Sequence, residues 1–197
     1  MSIVDPVVTD PIVPRQQMTV DEFLALPEDG IDRMLIDGKL WELGMTVRNH
    51  LHAEVAANVT GLLLAWIKAQ PKPRGKVAVG DAGFRLIPGE ASVIGPDIAV
   101  ASAELVARTT EEVVYYDGPP TLAVEILSPS DTHEDVIAKT RKYLQAGVIV
   151  WQVDPNFQLV RVHRPGLPVE SFNVTQELVG DPYLPGFRVA VAEFFAD

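Results

Sequence analysis

Glu125 lies within Thr121-Leu-Ala-Val-Glu-Ile-Leu127, an apolar run whose alternation puts Leu122, Val124 and Ile126 on one face of a strand and Ala123, Glu125 and Leu127 on the other. Burying an ionised acid without a cation or donors is costly, so a carboxylate here is expected to meet a metal, a lysine or a substrate. A second acid, Asp97, opens the apolar run that follows Ile94-Gly-Pro96. Two acids at the ends of neighbouring strands make a minimal site for a hard cation, and Mg²⁺ or Mn²⁺ suits it because such an ion keeps several of its waters. Lys139, on the helix expected after Glu125's strand, adds an ammonium that can orient or deprotonate a metal-bound water and stabilise a pentacovalent phosphate. With Asp97 and Glu125 as metal ligands and Lys139 acting on the water, the chemistry would be phosphodiester hydrolysis.

Each residue also has a plainer reading. Gly95-Pro-Asp97 is ordinary turn chemistry before a strand, Lys139 could pair with Asp135 one helical turn back, and Glu125 could serve a structural arginine or lysine. His52, Glu42 and Asp135 stand as accessory candidates. His50 and His52 are two apart, so on a helix they point in different directions and do not form a zinc pair. Ser128 and Ser130 flank Pro129 as turn residues with no nucleophile elbow around them, and no phosphate-binding glycine loop is present.

The elements that must position these residues are legible from capping and periodicity. Residues 1–17 are punctuated by proline and read as a flexible arm, with one domain over 18–197. Thr19-x-x-Glu22 is a capping box ahead of a short helix that ends at Pro27. Met34–Ile36 and Lys39–Leu43 flank Asp37-Gly38, the pair best suited to a type I′ turn, and predict a hairpin. From an N-cap at Asn49 to Ala69 the spacing is helical, with Leu51, Val55, Val59, Leu62 and Trp66 on one side and His52 inside the same arc. Strands follow around Lys76–Val79, Gly83–Ile87, Ile98–Ala101, Leu122–Leu127 and Val148–Val153. One late helix, capped by Thr132 and stopped by Gly147, carries Val136, Thr140 and Leu144 as its inner face. The proline-rich tail reads as edge strands and loops, and the three tryptophans, Trp41, Trp66 and Trp151, as core. The sum is an α/β fold bordering on α+β: a sheet flanked by helices, with an N-terminal hairpin.

Composition sets the outer bounds. A chain of 197 residues with 47% hydrophobic content can bury one sizeable core. It has no cysteine, which removes disulfides and thiolate chemistry and agrees with a cytoplasmic setting. No export signal and no membrane-spanning stretch is visible. A net charge of −11 argues against a broad phosphate-binding face. It does not exclude a nuclease, because carboxylates gather around a catalytic cation and the bound ion inverts the local potential.

Together these residues resemble the PD-(D/E)XK restriction-endonuclease-like superfamily and, within it, the Uma-type endonucleases, a large group known mostly as a domain of unknown function. The carriers are Met18-Thr-Val-Asp-Glu-Phe-Leu-Ala-Leu-Pro27, Ile36-Asp-Gly38, His52, Pro96-Asp97, Val124-Glu-Ile-Leu-Ser-Pro-Ser130, Asp135 with Lys139 and Tyr143, and Trp151-Gln-Val-Asp-Pro155. The resemblance implies a restriction-endonuclease-like central mixed sheet, Asp97 and Glu125 as ligands of Mg²⁺ or Mn²⁺, and Lys139 as the motif lysine moved from the strand, where Leu127 stands, to the next helix. DNA as substrate and a homodimer are implied by the same likeness. Met34 stands where the family's hairpin strand carries an acid, and Glu42 or Glu54 are the nearby acids that could replace it. A dimeric, non-catalytic module of the same fold and a hydrolase of small phosphate esters are the competing readings.

Overall fold

The structure is a computed structural model that describes residues 17–43, 50–80, 82–110, 113–128 and 131–196. Residues 1–16 of the expected arm over 1–17, the Asn49 cap and Ser130 lie outside the described residues.

The N-terminal part forms as its local chemistry dictates. α1 (Val20–Leu24) starts in the capping box: the Thr19 hydroxyl accepts from Glu22 N at 3.2 Å, and the Glu22 carboxylate accepts from Thr19 N at 2.8 Å. β1 (Asp32–Ile36) and β2 (Lys39–Leu43) pair antiparallel across Asp37-Gly38. Both turn residues take positive φ, 50° and 72°, as a type I′ turn requires. α2 (His50–Ala69) follows, and Val55, Val59, Leu63 and Ile67 are its buried residues together with His52. Its buried line has drifted from the Leu62–Trp66 side toward Leu63 and Ile67, which continue the four-residue ladder from Val55.

β3 (Lys76–Val79), β4 (Phe84–Arg85), β5 (Val93–Ile94) and β6 (Ile98–Ala101) come next, then α3 (Ala103–Arg108), β7 (Leu122–Ile126), α4 (His133–Gln145) and β8 (Ile149–Asp154). β9 (Leu159–His163), β10 (Glu170–Asn173), β11 (Glu177–Val179), β12 (Arg188–Ala190) and a 3₁₀ turn at Val191–Phe194 complete the chain. The central sheet has six strands in the order β10-β9-β8-β7-β6-β3, and β7 and β8 are its parallel pair. It is therefore the mixed sheet expected, with α4 as the crossover that parallel neighbours need. Of the tail strands, β10 is an edge whereas β9 is paired on both sides.

The alternation read from the sequence sorts the core into two layers. Leu122, Val124 and Ile126 join Val55, Val59, Leu63, Ile67, Phe187 and Phe194 on the α2 side. Ala123 joins Tyr143, Val150, Leu105, Met34 and Ile94 on the other, where the smaller sheet β2-β1-β5-β4 packs. Trp151 is buried against Phe187 and Phe194, while Trp41 and Trp66 are half-buried, and Trp66 donates its indole N–H to Pro185 O at 3.0 Å.

α4 departs from expectation in a way that matters for the site. Its buried residues are Thr140, Lys142 and Tyr143, whereas Val136 and Leu144 are only half-buried. Of the expected inner face, Val136, Thr140 and Leu144, only Thr140 is buried; the helix turns Lys139 and Tyr143 toward Glu125, because an acid set in the sheet has to be met by donors. Lys142, also buried, pairs with Asp37 and with Glu90 at 2.7 Å, which ties α4 to the β1–β2 turn.

Candidate active site

Asp97 and Glu125 are brought together by strand register. β6 pairs antiparallel with β7 through Ile98↔Val124 and Ala99↔Ala123, so the next step of the register sets Asp97 opposite Glu125. Residues directly opposite in an antiparallel pair stand on the same face with their Cβ atoms about 4.5–5.5 Å apart. Asp97 precedes the strand, and its carboxylate continues the pairing in place of backbone: Oδ2 accepts from Ile126 N at 2.7 Å. Its Oδ1 lies 3.4 Å from His52 Nε2. The histidine placed inside the apolar arc of α2 is thus buried and bound to one of the two acids.

Glu125 is held at both oxygens. Tyr143 donates its hydroxyl to Oε1 at 2.8 Å, and Lys139 donates its ammonium to Oε2 at 3.2 Å. Residues 139 and 143 are one turn apart on α4, so a single helix face delivers both donors. All of these side chains are largely shielded, with 13% exposure at Glu125 and 16% at Lys139. Burial pushes the Glu125 carboxyl above its ordinary range; Lys139 opposes this, and Asp97 adds to it. Burial would lower the Lys139 ammonium, but Glu125 and Asp97 outweigh it and hold the group above its usual value. Burial also raises Tyr143 well above the ordinary tyrosine range, with Glu125 adding to the effect, so it remains a hydroxyl donor.

Lys139 borders a cavity of about 190 Å³ lined also by Phe23, Arg33, Met34, Gly95 and Tyr115 among others. Met34 therefore faces the same space as the lysine, where an acid would project into it. The accessory candidates fare differently. His52 belongs to the constellation. Glu42 accepts from Arg33 Nε at 3.2 Å, and that arginine is also bidentate to Asp29 at 2.6 and 2.8 Å. Asp135 accepts from the Thr132 hydroxyl at 2.6 Å at the start of α4. Neither Glu42 nor Asp135 bonds to Glu125 or Lys139, and Glu54 is exposed.

Tyr143 entered only as a carrier of the family resemblance, with no chemical role assigned to it. Its spacing of four from Lys139 was the available signal, but a tyrosine on a helix reads first as core, which it also is. Gln152, opposite Glu125 in the parallel register, was missed as well; its amide donates to the Thr140 hydroxyl at 2.8 Å.

Among the described residues, no group of three or more His, Cys, Asp or Glu side chains is placed to hold a metal ion. What is present is a pair of carboxylates, Asp97 and Glu125, opposite one another in the strand register. An all-oxygen pair suits Mg²⁺ or Mn²⁺, which complete their shell with water and substrate phosphate, and does not suit zinc. Among the described residues no helix is long and apolar enough to cross a membrane.

A family profile described as "Uma2: Putative restriction endonuclease" matches residues 20–192. No curated protein matches the chain. Among solved structures, a "putative nuclease belonging to DUF820" from Anabaena variabilis ATCC 29413 is similar at 22% identity and a TM-score of 0.77, over 90% of this chain and 97% of that one. At that identity the likeness establishes a shared fold.

Proposed function

The chain belongs to the Uma2 restriction-endonuclease family, and from that premise we propose that it is a cytoplasmic, Mg²⁺- or Mn²⁺-dependent endonuclease that hydrolyses phosphodiester bonds of DNA. One observation carries the reading: Glu125, set in an apolar strand opposite Asp97, has the Lys139 ammonium 3.2 Å from its carboxylate.

Asp97 and Glu125 would hold the ion, which when bound polarises a phosphoryl oxygen and lowers the pKa of its water. The protein's own groups do the rest. The Ile126 amide and His52 fix the two oxygens of Asp97, and Tyr143 fixes Oε1 of Glu125, so both carboxylates keep their aim. Lys139 enters as a cation, held so by its two acids. As a held cation it cannot deprotonate the water, the base role that the sequence left open; it can orient that water, balance the charge gathering on the phosphate and donate a hydrogen bond to it in a shielded setting, where such contacts exceed their worth in water. His52 and Tyr143 touch the ligands rather than the substrate and are positioning residues.

The test is incubation of the full chain with plasmid DNA, RNA and a nitrophenyl phosphate ester in Mn²⁺, in Mg²⁺ and in chelator. DNA nicking that requires the ion is the expected result. Cleavage confined to the small ester would move the proposal to that substrate class.

Met34 and the limit of two acids favour a second reading, a non-catalytic binding module of the same fold. Replacing Met34 with glutamate separates the two. Met34 is 3% exposed, so the new carboxylate should lower the stability of the metal-free protein while raising affinity for Mn²⁺ about tenfold or more, since ~1.4 kcal/mol is a factor of ten. A variant whose Mn²⁺ affinity does not change would mean that no ion sits beside this cavity.

A further inference from the structure

The cavity that Lys139 borders suits a flat apolar group better than an ion. Two aromatic residues line it, Phe23 of α1 and Tyr115, together with Met34 of β1 and Val93 of β5. Val114, next in the chain to Tyr115, also lines it and is 81% exposed. Besides Lys139 the lining holds one cation, Arg33, whose guanidinium is already bonded to Asp29, Glu42 and the Pro27 carbonyl. A phosphate placed here would lose its water and meet only cations engaged by carboxylates. Tyr115, by contrast, is a wall set in advance. The Arg85 guanidinium lies 5.7 Å from its ring centroid, and Asp117 holds that arginine at 2.7 Å. The adjoining Tyr116 is stacked on buried Phe84 and bonded through its backbone to Gly83 and Arg85. An aromatic side chain fixed before contact loses little freedom when a ligand arrives.

Size and position identify the occupant. A cavity of about 150 Å³ accommodates a benzene ring, so one of about 190 Å³ holds a single-ring heterocycle and not a base pair. Lys139 is at once the partner of Glu125 and part of the cavity lining, so a strand whose phosphate lies at the carboxylates has its adjoining sugar and base within reach of this space. Of those groups only the base has an apolar face, and any base stacks on an aromatic side chain. A base inside a duplex has both faces covered by its neighbours and must leave the stack first. We infer that the cavity takes one unpaired nucleobase beside the scissile phosphate, so that the substrate is single-stranded DNA or a duplex from which that nucleotide is turned out.

The inference rests on the nuclease reading for the path of the strand, and its test reads binding as well as cleavage. In Ca²⁺, fluorescence anisotropy of the full chain with a short labelled oligothymidine should show binding at least tenfold tighter than to a blunt duplex of the same length. Tyr115→Ala and Phe23→Ala should each weaken the single strand about tenfold, the scale of one base stacked on one ring. Tyr115→Phe, which keeps the ring, should restore it. A sugar-phosphate oligomer of the same length without bases should bind weakly and ignore Tyr115→Ala, which separates a lost base contact from a disturbed fold. In Mn²⁺ the single strand should be cut faster than the blunt duplex, and a duplex with one mismatch should be cut beside it. Absent single-strand binding, binding that ignores both alanine variants, or equal affinity for strand and blunt duplex would each overturn the base site. Metal-dependent cutting of paired DNA alongside such results would leave the nuclease reading standing without it. Base-dependent binding with no cleavage in any ion would keep the site and sink the nuclease reading instead.

Discussion

Replacing Glu125 with glutamine is expected to abolish metal-dependent cleavage and to destabilise the metal-free protein together. Glutamine keeps the shape and the bond from Tyr143, but it removes the charge that holds Lys139. Breaking a buried pair from one side costs about 3–5 kcal/mol, because the remaining charge is left uncompensated. For a chain of this length that corresponds to a drop of roughly 6–20 °C in melting temperature, at about 2–4 °C per kcal/mol. Loss of activity would therefore be ambiguous by itself, and the double variant Glu125→Gln/Lys139→Met resolves it. With both charges gone, stability should return toward wild type while cleavage stays absent. A double variant as unstable as the single one would show that Lys139 is not the cause.

Lys139→Met is the second large effect, and its signature is a split between binding and rate. Both carboxylates remain, so the ion should bind at least as well as before; its charge replaces the missing ammonium, and Mn²⁺ should raise the melting temperature of this variant more than that of wild type. Cleavage should fall about 10²–10³-fold, the usual consequence of removing one preorganised donor from a developing oxyanion. Alkaline titration adds an independent check. The Lys139 pKa is raised in the fold, so its contribution to metal-free stability is complete below the ordinary value of 10.5 and is lost as pH climbs through the raised one. The gap between wild type and Lys139→Met should close over that alkaline range. Undiminished cleavage by Lys139→Met would remove the lysine from the chemistry.

The pair Asp97 and Glu125 was legible because a charged residue inside a period-two apolar run is conspicuous, and because a β-strand fixes which face it takes. The hairpin turn, the α1 capping box and the buried His52 were legible for similar reasons: local rules with one stereochemical solution. What remained hidden depended on tertiary choice. Lys139 sits at the boundary of its helix's apolar face, where periodicity permits either solvent or site, and only the demand of Glu125 for a cation decides. Tyr143 was hidden because an aromatic residue satisfies the core and the site at once. The inner face of α4 was assigned to Val136, Thr140 and Leu144; Thr140 is buried, but the two apolar residues are only half-buried, because a helix packed over a charged strand follows its donors.

The most direct test of the account is a calorimetric titration of Mn²⁺ into wild type, Asp97→Asn and Glu125→Gln/Lys139→Met, with melting curves taken on the same samples. Wild type should bind one ion per chain, with a rise in stability that grows as RT ln(1 + [Mn²⁺]/Kd), and neither variant should bind. Equal binding by all three proteins, or a wild-type melt indifferent to Mn²⁺, would contradict it.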